Sequence, residues 1–185
     1  GDGWPDLAES QAGTNPSDPD EYPLLTTLYV GGAGAADYAL GDAANPIATL
    51  EEAVARINVL DEADYRIELA AGVEFIVSEP LVLTQNTVLA GNSSAIDGIG
   101  GTQTTPPAAG IVVSVGAEDV DLQDVTIRDF PTGILTTSEG GCLDLVNVTV
   151  EACDIGLDLA ETYQLQVDLG VSVIQTCGTG VRFAA

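Results

Sequence analysis

The carboxylates nearest the start of the chain have the spacing of a cation site. A twelve-residue calcium loop draws oxygen ligands from its first, third, fifth, seventh, ninth and twelfth positions and turns at a glycine in the sixth. With Gly3 at that turn, Asp2 falls fifth, the Trp4 carbonyl seventh, Asp6 ninth and Glu9 twelfth. The first and third positions would precede Gly1. A second acidic group lies in the later half, where Asp121, Asp144 and Asp168 fall at matching places in successive repeats and Asp119, Asp124 and Asp129 crowd nearby. Like charges stacked one strand apart raise each other's pKa unless a cation or a sugar hydroxyl intervenes. Three readings are therefore open: a calcium site, a glycosidase-type acid pair, which needs carboxyl groups about 5 to 9.5 Å apart, or an exposed acidic face.

Cysteine is the other reactive type. Cys153 and Cys177 each precede a repeat glycine, Gly156 or Gly180, by three residues, which predicts side-by-side places on adjacent strands. Side chains stacked in parallel suit a buried thiol ladder better than the roughly 90° dihedral of a disulfide. A disulfide or a soft-metal pair is the competing reading. Cys142 is expected to stand apart from that pair.

Composition narrows the chemistry. In 185 residues there are 29 Asp and Glu against 4 Arg, with no Lys and no His, for a formal net charge of −25. Phosphate recognition needs clustered basic groups, so the sequence predicts no nucleic-acid binding. Mechanisms built on a histidine base, a lysine nucleophile or a histidine metal site are absent. No apolar run approaches the roughly 20 residues of a membrane span, and membrane insertion is not expected. The absence of any Met predicts a processed piece of a longer product. Strong acidity raises self-repulsion that divalent cations or salt relieve, which points to an extracellular or cell-surface setting.

The elements that would position these groups begin with an irregular, acidic arm, residues 1 to 23, rich in Asp, Pro and Gly. Leu28 to Val30 reads as a strand, followed by a Gly/Ala-rich loop. Thr49 with Glu52 forms a capping box, and Leu50, Ala53, Val54 and Ile57 follow the spacing of one buried helical face, predicting a helix over about 49 to 58. From Gly110 a unit repeats, its glycines at 110, 133, 156 and 180 being 23, 23 and 24 residues apart. Within it Val125-Thr126-Ile127, Val148-Thr149-Val150 and Val171-Ser172-Val173 recur, predicting inward columns of Val and outward columns of hydroxyls. A unit so short cannot enclose a core alone, but stacked units can. A β-sandwich would not predict a glycine-led repeat, and the leucine-rich signature is missing. The fold expected is all-β, a parallel β-helix solenoid of about 23-residue coils over residues 24 to 185, with one N-terminal capping helix and an open C-terminal end.

Two resemblances sharpen this. GDGWPDLAESQAGTNPSDPD resembles the bacterial thrombospondin type 3 calcium repeat, DxDGDGxxDxxE with a GTxPxxPD tail, matched here by Gly13-Thr14-Asn15-Pro16 and Pro19-Asp20. That resemblance implies one calcium at Asp2, Trp4, Asp6 and Glu9, and a neighbouring one at Asp18 and Asp20. The order strand, Gly-rich loop, PIATLEEAVARIN, RIELAAGVEF is similar to the N-terminal entry of right-handed parallel β-helix proteins, the pectate-lyase-like superfamily. The family's enzymes imply calcium-binding Asp residues with an Arg or Lys base, which leaves Asp124 and Arg128 as weak catalytic candidates. The expected function is a non-catalytic calcium-binding β-helix with a structural, adhesive or self-assembling role at the cell surface. Self-association would run through the open C-terminal coil. The alternative is a truncated carbohydrate-active module of lyase or hydrolase type with a carbohydrate partner.

Overall fold

The computed structural model describes residues 5–18, 23, 25–59, 64–114, 116–137, 141–159, 164–167 and 172–183. Parallel strands dominate it, with two short helices. Helix α1 (Asp6–Ala12) and strand β1 (Thr27–Val30) come first, then helix α2 (Leu50–Asn58) and strands β2 (Tyr65–Leu69), β3 (Glu74–Ile76), β4 (Leu81–Leu83) and β5 (Thr87–Asp97). The remainder is β6 (Ala109–Val113), β7 (Asp119–Arg128), β8 (Thr132–Thr136), β9 (Cys142–Val146), β10 (Thr149–Glu151), β11 (Ile155–Leu159), β12 (Gln164–Val167), β13 (Val173–Gln175) and β14 (Thr179–Phe183). One sheet runs β1-β2-β5-β7-β10-β13, with β3 on β5 and β12 on β9 beside it, and a second runs β14-β11-β8-β6-β4. Every strand-to-strand pairing in both sheets is parallel, an arrangement compatible with a β-helix-like fold.

Alternation along each strand sets which residues meet. Side chains two apart share a face, so the register lines up Ile67, Leu89, Leu122 and Leu145, all buried. In the second sheet Leu81, Ile111, Ile134 and Leu157 form a like column. Each such side chain contributes roughly 1.5–3 kcal/mol by leaving water. The repeat glycines face one another, and the reason is steric. A Cβ at Gly133 would sit 2.7 Å from the Gly156 carbonyl oxygen, and one at Gly156 2.6 Å from that of Gly180.

Between paired segments the chain bends through left-handed residues. Asn92, Asp124 and Asn147 mark one bend, with φ of 51°, 50° and 55°, and Asp129, Ala152 and Thr176 another, with 62°, 52° and 53°. Asn and Asp tolerate this conformation best among residues with a side chain. Their polar groups also tie one bend to the next: Asn92 donates to the Leu69 carbonyl at 2.8 Å and Asn147 to the Asp124 carboxylate at 2.5 Å, 23 residues away.

Helix α2 packs against β1 and β4. Thr49 accepts from the Glu52 amide, and Leu50, Ala53, Val54 and Ile57 are buried. Arg56 is fully buried with them; its Nε donates to Glu52 at 2.8 Å and its Nη1 to the carbonyls of Ala39 and Leu40 at 2.7 and 3.2 Å. The Gly/Ala-rich loop is thus held from beneath by one guanidinium.

Two expectations are corrected. Residues 6–12 of the arm are a helix, because Pro5 pre-sets the entry, Asp6 and Glu9 suit its first turn, and Gly13 ends it with φ 84°. Ala8 is fully buried in the main core, so this part of the arm docks. The last repeat is also shifted by one: Thr149 pairs with Val173 and Val150 with Ile174. Ser172 therefore falls beside Val148, whose amide it accepts at 3.1 Å while donating to the Leu145 carbonyl at 3.0 Å. Val173 faces outward, and no three-membered hydroxyl column forms.

Candidate cation-binding groove

The first sheet brings one set of carboxylates together. Strands β7 and β9 pair Asp119 with Cys142 and Asp121 with Asp144. The outward places of a parallel pair stack directly, so residues that alternate with the buried Val120, Leu122, Leu143 and Leu145 form two short polar columns. Ligand atoms of Asp119, Cys142 and Asp144 all lie within 4.8 Å of one another. The Cys142 thiol donates to Asp144 Oδ1 at 3.4 Å, and Asp121 stands beside Asp144 on the paired strand. A groove of about 310 Å³ opens beside them, lined by Asp64, Tyr65, Asn86, Thr87, Val88, Asp119 and Asp121. Asn86 fixes its wall, its Oδ1 accepting from the amides of Glu118 and Asp119 at 2.8 and 3.0 Å.

Electrostatics follow from this packing. Partial burial, then the Asp144 and Asp119 charges, push the Asp121 carboxyl above its usual range. Two carboxylates side by side on neighbouring strands repel, and a proton or a cation relieves that repulsion. The ligand atoms that converge are those of Asp119, Cys142 and Asp144, two hard carboxylate oxygens beside one soft sulfur, with Asp121 next to Asp144 on the paired strand. Asp168, expected in the same column, lies outside the described residues, and Gln166 pairs with Asp144 in its stead.

The other candidates lie elsewhere. Asp6 is exposed and Glu9 buried in the first turn of α1, and Asp18 is exposed in a turn where its amide donates to the Asn15 carbonyl. Asp2, Trp4 and Asp20 lie outside the described residues. Asp124 sits at a bend, bonded to Asn147. Arg128 is held by Asp97 at 2.7 Å and by Glu74, with Asp129 at 3.8 Å. The structure thus gives Asp124 and Arg128 separate partners. Asp129 is raised in pKa by burial and by Asp97. Sequence reasoning missed Asp64 and Asn86, because the register that carries them to Asp119 spans a unit of irregular length; an Asp and an Asn flanking β2 and β5 were the only signal.

No family model, curated protein or solved structure matches the chain.

Proposed function

We propose that this protein is a non-catalytic, extracellular, calcium-binding right-handed parallel β-helix with a structural, adhesive or self-assembling role at the cell surface. The observation that carries the reading is the in-register pair Asp121 and Asp144 on neighbouring parallel strands, with Asp119 and Cys142 paired beside it. Two parallel sheets alternating along the chain, joined by recurrent left-handed bends, support the helical path, and crossover connections of this kind are right-handed almost without exception. Calcium at the column would relieve repulsion between neighbouring units and tie them together.

Ion pairing supports the non-catalytic side. All four arginines are committed to carboxylates: Arg56 to Glu52, Arg66 to Glu68, Arg128 to Asp97 and Glu74, and Arg182 to Asp158. An arginine so held is a poor base, and a chain of charge −25 repels acidic polysaccharide. The start of α1 adds a second calcium proposal, since Asp6 and Glu9, three apart in its first turn, match the closing positions of the loop formed with Asp2 and Trp4, with Asp18 and Asp20 serving a neighbouring ion. For self-association, β13 and β14 have no outer neighbour among the described residues, and Val173, Val181 and Phe183 are exposed there. Such an edge accepts a further strand.

The test is calcium binding by the chelated protein, measured by calorimetry for the wild type and for D119N/D144N. Tight binding weakened at least about tenfold in the variant is expected, as for loss of two ligands of a hard-cation site. Equal binding by both proteins moves calcium away from the column, and depolymerisation of a uronate or neutral glycan, lost in R128A or D124A, would replace the reading by the carbohydrate-active one.

A further inference from the structure

Cys153 and Cys177 occupy equivalent places one unit apart. The register Glu151 to Gln175 precedes them and Ile155 to Thr179 follows, and the Gly178 amide donates to the Cys153 carbonyl at 3.1 Å. The two side chains point the same way: a Cβ built on Gly133 lies 3.3 Å from the Cys153 sulfur, and one on Gly156 3.5 Å from the Cys177 sulfur. Both are free thiols, and each donates to a carbonyl two residues back, Cys153 to Glu151 at 3.2 Å and Cys177 to Gln175 at 3.3 Å. Cys153 is 4% exposed and Cys177 half-buried. Neither belongs to the acidic groove.

We propose that Cys153 and Cys177 form an oxidisable dithiol whose disulfide clasps the last two described units of the stack. Adjacent strands lie about 4.8 Å apart, within the Cα separation that a disulfide spans, while its dihedral near 90° requires one side chain to turn out of the parallel arrangement. The later strand can give way. β13 has no neighbour on its outer side among the described residues, and the strand that follows it, β14, is exposed along its whole length. Elements with few buried contacts open locally at the lowest free energy.

The oxidant is a low-molecular-weight disulfide such as oxidised glutathione, of the kind that keeps thiols oxidised outside the cytosol. The more accessible Cys177 loses its proton and attacks one sulfur of that disulfide, forming a mixed disulfide and releasing one small thiolate. Cys153 then loses its proton and attacks the Cys177 sulfur, expelling the second thiolate. The two protein thiols are oxidised, the small disulfide is reduced to two thiols, and the two protons pass to the released thiolates. Burial holds the Cys153 thiol up at about 11, which makes it the second nucleophile and not the first.

The experiment treats the reduced full chain with oxidised glutathione, blocks remaining thiols by alkylation, and digests at acidic residues, which separates the two cysteines at Asp154 and Asp158. The expected result is loss of two hydrogens from the intact mass, a dithiothreitol-reversible link between the Cys153 and Cys177 peptides, and Cys142 alkylated. C142S, which keeps the pair, shows the same loss, and C177S shows no internal link. A stable glutathione adduct at Cys177 with Cys153 still alkylatable, a link to Cys142, or three unreacted thiols would each overturn the proposal. Calcium binding is a separate readout, so failure here leaves the calcium reading standing and the converse also holds.

Discussion

At the residue scale, the acidic groups pull stability in two directions as pH falls. Asp121 has a folded pKa raised by burial and by Asp144, above its unfolded value of about 3.9. Its stabilising contribution is present below that unfolded value and lost as pH rises through the folded one. Asp158 is the reverse case: the Arg182 hydrogen bond lowers its pKa, so its contribution is present above about 3.9 and lost as pH falls through the folded value. Without calcium, the urea midpoint is expected to rise as pH falls towards about 4 and then to fall below it. D121N should flatten the rise without touching the fall. A midpoint that decreases steadily from neutral pH in both proteins would contradict the assignment of Asp121. The repeat glycines give a second residue-scale prediction. Gly133→Ala forces a methyl group against the Gly156 carbonyl and should cost about 1–3 kcal/mol, read from denaturant unfolding.

At the element scale, Arg56 joins α2 to the Gly/Ala-rich loop through Glu52 and the carbonyls of Asp37, Ala39 and Leu40. Arg56→Met keeps the stem and leaves those buried carbonyls without a donor. A loss of about 3–5 kcal/mol is expected, as for breaking a buried charged network, with hydrogen exchange rising first in residues 31–49. A change under 1 kcal/mol in the unfolding free energy would deny the loop its anchor. The helix was legible in sequence because its cap, period and length are local signals: Thr49, Glu52 and the Leu50-Ala53-Val54-Ile57 face. The glycine repeat was legible for a similar reason, since Gly110, Gly133, Gly156 and Gly180 pair as their spacing implies. What spacing could not show is where an extra residue enters the longer last unit. Aligning Val173 with Val150 by type placed Ser172 in the wrong column, and the structure gives that inward place to Ile174. The acidic pair Asp121 and Asp144 was legible for the same repeat-based reason, whereas Asp64 and Asn86 needed the tertiary register. Helix α1 was hidden by the Asp, Pro and Gly of its surroundings, which read as loop although Pro5 and Gly13 bracket a helical turn.

At the scale of the whole molecule, charge and topology meet. A net charge of −25 belongs to a chain built on parallel sheets, in which neighbouring strands bring carboxylates such as Asp121 and Asp144 side by side. Monovalent salt screens this repulsion over about 10 Å at 0.1 M, but a divalent ion held between units removes it at the point of contact. Calcium therefore should act beyond ionic strength, and its effect should depend on Asp119 and Asp144. The exposed edge at β13 and β14 adds that relief of repulsion should favour larger species. The most direct measurement is a calcium titration of the chelated chain at constant ionic strength, following melting temperature and sedimentation together for wild type and D119N/D144N. The account predicts a melting temperature that rises several degrees in calcium for the wild type and much less for the variant, since about 1 kcal/mol moves a chain of this size by roughly 2–4 °C; growth of larger species in the wild type would extend it to assembly. Identical melting curves with calcium and with matched sodium chloride would contradict it.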